Sequence, residues 1–310
     1  MPRCKTFAVA VLAGALLTAA ALAQGTGRWT TGTPMPSART EIAEAEVGGK
    51  IYVVGGFRGE RELEVYDPAA DRWSRGAAIP RALHHAAAVG LNGKLYVIGG
   101  FVEGWTPTDK VHEYDPASDR WQRLTVLPTP RGALAAAVLD GKIHAVGGIG
   151  LQGRNTPAHE IYDLAANRWT PLAYVPTARD HLAVAALGGR LYAVGGRIDG
   201  DYSRNLASNE AYDPATNSWE QRAPMPTARS GIAAAVLEGR MFVFGGEAPE
   251  GTFNQAEAYD ARSNGWSSHA RMPTARHGLG AAAVASRIYV VSGGPTPGDS
   301  VSAANEIFAP

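Results

Sequence analysis

Six copies of one spacing pattern run through the chain, and no other feature restricts its fold as tightly. Tryptophans stand at Trp29, Trp73, Trp121, Trp169, Trp219 and Trp266. Ten residues beyond them are Arg39, Leu83, Arg131, Arg179, Arg229 and Arg276. Sixteen residues further on come the glycine pairs Gly55-Gly56, Gly99-Gly100, Gly147-Gly148, Gly195-Gly196 and Gly245-Gly246, with Ser292-Gly293 in the last unit. Tyr66, Tyr114, Tyr162, Tyr212 and Tyr259, each followed by Asp, stand seven residues before the next tryptophan, and Phe308 takes that role at the end.

Each unit reads as four short strands. After the arginine comes a small apolar strand such as 232–237, then a tight turn (Asn92-Gly93, Asp140-Gly141, Glu238-Gly239) in which Asn-Gly and Asp-Gly accept positive φ. The second strand, Ile51 to Val54 or Met241 to Phe244, is apolar throughout. Both its faces must then be covered, so sheets stack on sheets. The third strand ends at Tyr-Asp, and the tryptophan opens a fourth, outer strand. Units of about 48 residues repeated six times predict an all-β chain forming a six-bladed β-propeller. The last unit stops after its third strand, while Arg28, Trp29 and Thr30 read as an orphan fourth strand. The N-terminal strand is therefore expected to complete the C-terminal blade, leaving no free sheet edge.

Residues 1–23 pose a different problem. Arg3 and Lys5 precede an apolar stretch from Phe7 to Leu22, and Ala21-Leu22-Ala23 supplies the small-x-small pattern of a signal-peptidase site. The expectation is an exported protein, periplasmic or extracellular, with a single domain over 24–310. Cleavage removes Cys4, the only cysteine, so no disulfide helps the fold. With 29 Lys+Arg against 29 Asp+Glu, no polyanion-seeking surface exists on the whole-chain average. Nucleic-acid partners and membrane insertion of the mature chain are not expected; a monomer is.

The glycine pair, the Tyr-Asp and the tryptophan at these spacings resemble Kelch repeats, over essentially all of 28–308. The resemblance implies the propeller but says little of function, because Kelch propellers include adaptor modules, oxidases and sugar epimerases. Chemistry of the galactose-oxidase kind needs a cysteine crosslinked to a copper-ligating tyrosine, and the mature chain has no cysteine. No cofactor and no metal are expected.

Blade strands alternate direction, so the loops joining strands two to three and strand four to the next strand one emerge on one face. All variation in length falls in the two-to-three loops, where the gap from the second glycine to the tyrosine runs 10, 14, 14, 16 and 13. Variable loops on a rigid scaffold are where binding concentrates, so this is the expected working face. It carries Phe57 and Arg58, Phe101 and Trp105, Arg154, Arg197 with Asp199, Asp201, Tyr202 and Arg204, and Glu247 with Phe253. Trp105 is the one tryptophan off the repeat position; it either covers a neighbouring loop or offers a stacking platform. Arg39, Arg131, Arg179, Arg229 and Arg276 either bond to adjacent blades or form an anion-capturing ring at the channel mouth.

Departures from the repeat carry more information than the repeat itself. Where other blades have Gly or Ala, the first places Glu41, Glu44 and Glu46, the second His84 and His85, the fourth Asp180 and His181, and the sixth His277. Glu44 and Glu46 are expected to neutralise arginines rather than act as an acid/base pair. A metal would require His84, His181 and His277 to converge across the channel. G-x-S-x-G, H-E-x-x-H and a phosphate loop are absent, and the G-x-G-x-x-G at 148–153 is followed by no helix. The leading expectation is a non-enzymatic recognition module taking a protein, peptide or glycan on the working face. The alternative comes from a resemblance of Gly246-Glu247-Ala248-Pro249 to the glutamate segment of sialic-acid mutarotases. It implies Glu247 as proton acceptor, with Arg197, Arg229 or Arg276 holding the substrate carboxylate.

Overall fold

The computed structural model describes Met1 and residues 26–310; the expected export signal over 1–23 falls almost wholly outside the described residues. Six four-stranded antiparallel sheets follow one another around a ring. The first blade is Ala43–Val47, Lys50–Val54, Leu63–Asp67 and Arg72–Gly76, counted outward from the axis. The next four repeat that order. In the sixth, Gly280–Val284, Arg287–Val291 and Asn305–Ala309 are joined by the N-terminal strand Arg28–Thr31, with Trp29 opposite Phe308. The ring closes through its termini as the repeat count requires.

Second strands are buried on both faces: Ile51 through Val54 are all inaccessible to solvent or nearly so. Their apolar faces pack against the neighbouring blades, which is why these segments tolerate no polar alternation.

The repeat residues tie each blade to the one before it. All six tryptophan indoles donate to a carbonyl of the preceding blade, from Trp29 to Ala270 O (2.8 Å) through Trp266 to Ala223 O (2.8 Å). Tyr66 and Tyr114 donate to Asp71 and Asp119, and Tyr162, Tyr212 and Tyr259 to Asn167, Asn217 and Asn264. Those Asp and Asn residues sit at left-handed φ between 44° and 52°, a conformation short polar side chains accept. The glycine pair is demanded by close approach. A Cβ on Gly55 would lie 2.6 Å from the Leu83 carbonyl of the next blade, and one on Gly56 would lie 2.5 Å from Thr40 O. Ser292 departs from that rule at φ 63° and turns the approach into a hydrogen bond, donating from its hydroxyl to Arg39 O at 2.7 Å.

Candidate functional site

The five repeat arginines do not line the channel mouth. Arg39, Arg131, Arg179, Arg229 and Arg276 are each 0% exposed and pair inside their own blades with Glu64, Glu160, Glu210, Glu257 and Glu306 at 2.5–3.0 Å. Each glutamate stands two residues before the repeat aromatic, facing the arginine from the third strand. The second blade has Leu83 in the arginine position and His112 in the glutamate position, both buried. Loss of the guanidinium thus goes with loss of the carboxylate, because either left alone would be an uncompensated buried charge. The expectation of an anion-capturing ring is corrected: these cations are already neutralised and out of reach of any ligand. Burial lowers the Arg229 pKa to about 10, with Glu257 only partly opposing.

Two residues past the repeat arginine position, one segment from each of the six blades meets the others around the axis. Glu41, His85, Ala133, His181, Gly231 and Gly278 all have left-handed φ, from 50° to 65°. Their amides form a closed cycle of hydrogen bonds, each to the preceding blade: His85 N to Glu41 O (2.9 Å), Ala133 N to His85 O (2.8 Å), His181 N to Ala133 O (3.0 Å), Gly231 N to His181 O (3.0 Å), Gly278 N to Gly231 O (2.9 Å) and Glu41 N to Gly278 O (2.8 Å). This collar borders a cavity of about 80 Å³ on the face of the variable loops.

Ionisable side chains converge at the collar from five blades. Arg197 donates to Glu247 Oε1 (2.5 Å), to Asp180 Oδ1 (3.3 Å) and to His181 Nε2 (2.8 Å). Asp180 Oδ1 also holds His181 Nδ1 at 2.5 Å, and its other oxygen accepts from Asn155 Nδ2 (2.5 Å) and Gly200 N (2.8 Å). Glu41 lies 3.3 Å from His85 Nε2 and 3.2 Å from His277 Nδ1. His277 faces acceptors with both nitrogens, Glu41 and Glu247 (3.6 Å) on one side and Thr296 O (3.1 Å) on the other. Burial disfavours charge there, yet the Glu41 carboxylate raises the His277 pKa. Burial likewise opposes ionisation of Glu41, but the surrounding histidines hold its carboxyl well below the usual range. Three carboxyl groups, Glu41, Asp180 and Glu247, therefore face the Arg197 guanidinium and the His277 imidazole.

Glu247, Arg197, His181 and His277 are brought together; His84 is not with them. It turns outward from the collar, its Nδ1 2.6 Å from His85 Nδ1. The convergence of His84, His181 and His277 that a metal would have required does not occur. His85 and Glu41 take the places of His84 and His277 beside His181, since the collar position lies two residues, not one, past the repeat arginine. Glu44 and Glu46 neutralise no arginine among the described residues. Glu44 projects into the channel, where burial raises its pKa to about 8 and leaves Oε1 without a partner; Glu46 accepts from Gly49 N at 2.6 Å.

Beside the collar, between the first two blades, Trp105 sits at φ 58° on a single 3-10 turn, Glu103–Trp105. It is 56% exposed although it packs on Phe57 (5.8 Å), His84 (4.7 Å), His85 (5.1 Å) and Phe101 (5.3 Å). A groove of about 400 Å³ runs along it, bordered by Phe57, His84 and Val102 and by the exposed carboxylates Glu60 and Glu103. Arg58 is exposed at the first-blade loop, at φ 72°, and does not border the groove.

A family model described as the KLHDC2/KLHL20/DRC7 Kelch-repeats domain matches residues 45–224 and 174–308. Among solved structures, one titled "Structure of YjhT" superposes with a TM-score of 0.79 at 16% identity, covering 89% of this chain and 96% of the other. No curated protein matches the chain. No helix among the described residues is long and apolar enough to cross a membrane.

Proposed function

The chain belongs to the Kelch-repeat family, and from that premise we propose that it is an exported recognition module that takes a basic peptide segment of a partner protein in the groove beside Trp105. The exposure of Trp105 carries this reading. A large aromatic that already packs on four rings, on a left-handed backbone, would be covered if blade packing were its purpose. Glu60 and Glu103 make no ion pair among the described residues and flank the same groove. They select for a lysine or arginine whose aliphatic stem lies on the indole while its charge meets a carboxylate. The test is an array of extended peptides carrying Lys or Arg, read beside a glycan array, with the chain and its Trp105→Ala variant. Basic peptides should bind and lose about 30-fold in the variant, with only a small change in melting temperature because about half of the side chain is in solvent. Binding that survives the substitution, or capture of glycans alone, overturns the reading.

Mutarotation is the second reading, favoured by the contact of Glu247 with Arg197. Against it, each nitrogen of the Arg197 guanidinium already has a partner, Asp180, Glu247 or His181, so a substrate carboxylate would have to compete with them. One-dimensional NMR of anomer interconversion in freshly dissolved sialic acid, with the chain and Glu247→Gln, decides it: no acceleration removes this reading.

A further inference from the structure

We propose that Glu41, His85 and His181 form a binding site for a divalent transition metal, Zn²⁺ by preference, at the axial mouth of the propeller. The three candidate ligand atoms lie within 4.8 Å of one another, and their side chains border one cavity. Glu41 Oε2 and His85 Nε2 are 3.3 Å apart. Ligands about 2.0–2.1 Å from a tetrahedral zinc stand roughly 3.3 Å from each other, so this edge already has the spacing of two groups on one ion. Two imidazoles and one carboxylate suit zinc or cobalt, whereas calcium and magnesium favour oxygen sets.

The ligands are held in place before any ion arrives. All three occupy the collar position of their blades, with peptide groups locked in the cycle of hydrogen bonds. Each histidine has a partner on its far nitrogen. Asp180 Oδ1 accepts from His181 Nδ1 at 2.5 Å, the carboxylate–histidine arrangement that aims Nε2 at a metal and sharpens its basicity. His84 Nδ1 stands 2.6 Å from His85 Nδ1. When His84 Nδ1 passes its proton to His85 Nδ1, His85 gives up its Nε2 proton to solvent and His84 takes one up at Nε2, so both imidazoles stay neutral and His85 Nε2 is free for coordination. His277 holds the other oxygen of Glu41, leaving Oε2 for the ion. Arg197 must give up its contact with His181 Nε2, but keeps Asp180 and Glu247. The cavity leaves a fourth position open to water or to a ligand, the arrangement of three protein ligands found in reactive rather than structural zinc sites.

The experiment titrates the full chain with Co²⁺, followed by visible ligand-field absorption, and with Zn²⁺ by calorimetry. One equivalent of Co²⁺ should give the intense bands of a four-coordinate ion and be displaced by Zn²⁺. His181→Ala and Glu41→Gln should abolish the bands. Asp180→Asn, which keeps volume and all three ligands, should weaken Zn²⁺ binding about 10–100-fold; it serves as the deciding variant if the other two melt early. Absence of saturable binding by the unaltered chain overturns the site, as does binding that all three substitutions leave unchanged.

Discussion

Deletion of residues 26–33 is expected to lower the melting temperature by about 10 °C or more and to increase self-association relative to the intact chain. The segment supplies the outer strand of the sixth blade, pairing Arg28 to Thr31 with Ala309 to Glu306. Trp29 fills the interface between the fifth and sixth blades, packing on Phe308 (5.0 Å) and Phe244 (5.7 Å) and donating to Ala270 O. Its loss opens a cavity and exposes the edge of Asn305–Ala309, an unpaired strand ready to join another chain. Thermal unfolding and size-exclusion chromatography measure the two effects. Trp29→Ala in the intact chain should retain the strand and show only part of the thermal loss. A deletion that melts with the parent would mean that the ring does not depend on this seam.

Arg229→Leu alone should cost about 3–5 kcal/mol, because Glu257 is then left buried with no cation. Adding Glu257→His should return most of that loss, for the double variant installs in the fifth blade the Leu/His combination that the second blade carries at Leu83 and His112. Arg229 is the best of the five for this test. Its Nε and Nη1 have no hydrogen-bond partners, and its Nη2 donates to Val243 O (3.2 Å) and stands 3.0 Å from Glu257 Oε2 as an ion pair. The pair is therefore the least compensated for its desolvation. Denaturant unfolding of both single variants and the double gives the coupling energy directly. If the double variant is as unstable as the sum of the singles, the Leu/His combination is not an equivalent solution.

These arginines also mark where reading residues in order reaches its limit. Their recurrence in five blades is consistent with either a binding ring or an internal pair, because a repeat position shows that a residue is needed in every blade without showing which way it points. The discriminating signal was present. The glutamate two residues before the repeat aromatic occurs in the five blades that have arginine and is replaced where arginine is replaced. Once the third strand is laid beside the second, that parallel loss identifies a charge pair, and a charge pair fully desolvated has no binding to offer.

Blade number, strand order, the seam between the termini and the face bearing the variable loops were all legible in the sequence by itself. They follow from spacings within one unit, and spacings are local: a glycine pair, a Tyr-Asp turn and an outer tryptophan constrain residues only a strand or two away. Convergence across the axis is different. Glu41 and His277 are 236 residues apart, and which of His84 and His85 joins them depends on a one-residue rotation at the collar. The left-handed backbone there turns successive side chains in different directions. Only the closed ring decides that rotation, because it is set by hydrogen bonds from each blade to the one before. The tertiary structure therefore decided that Glu41, His85 and His181 share a cavity, that each nitrogen of Arg197 has a partner, and that Trp105 stands half in solvent.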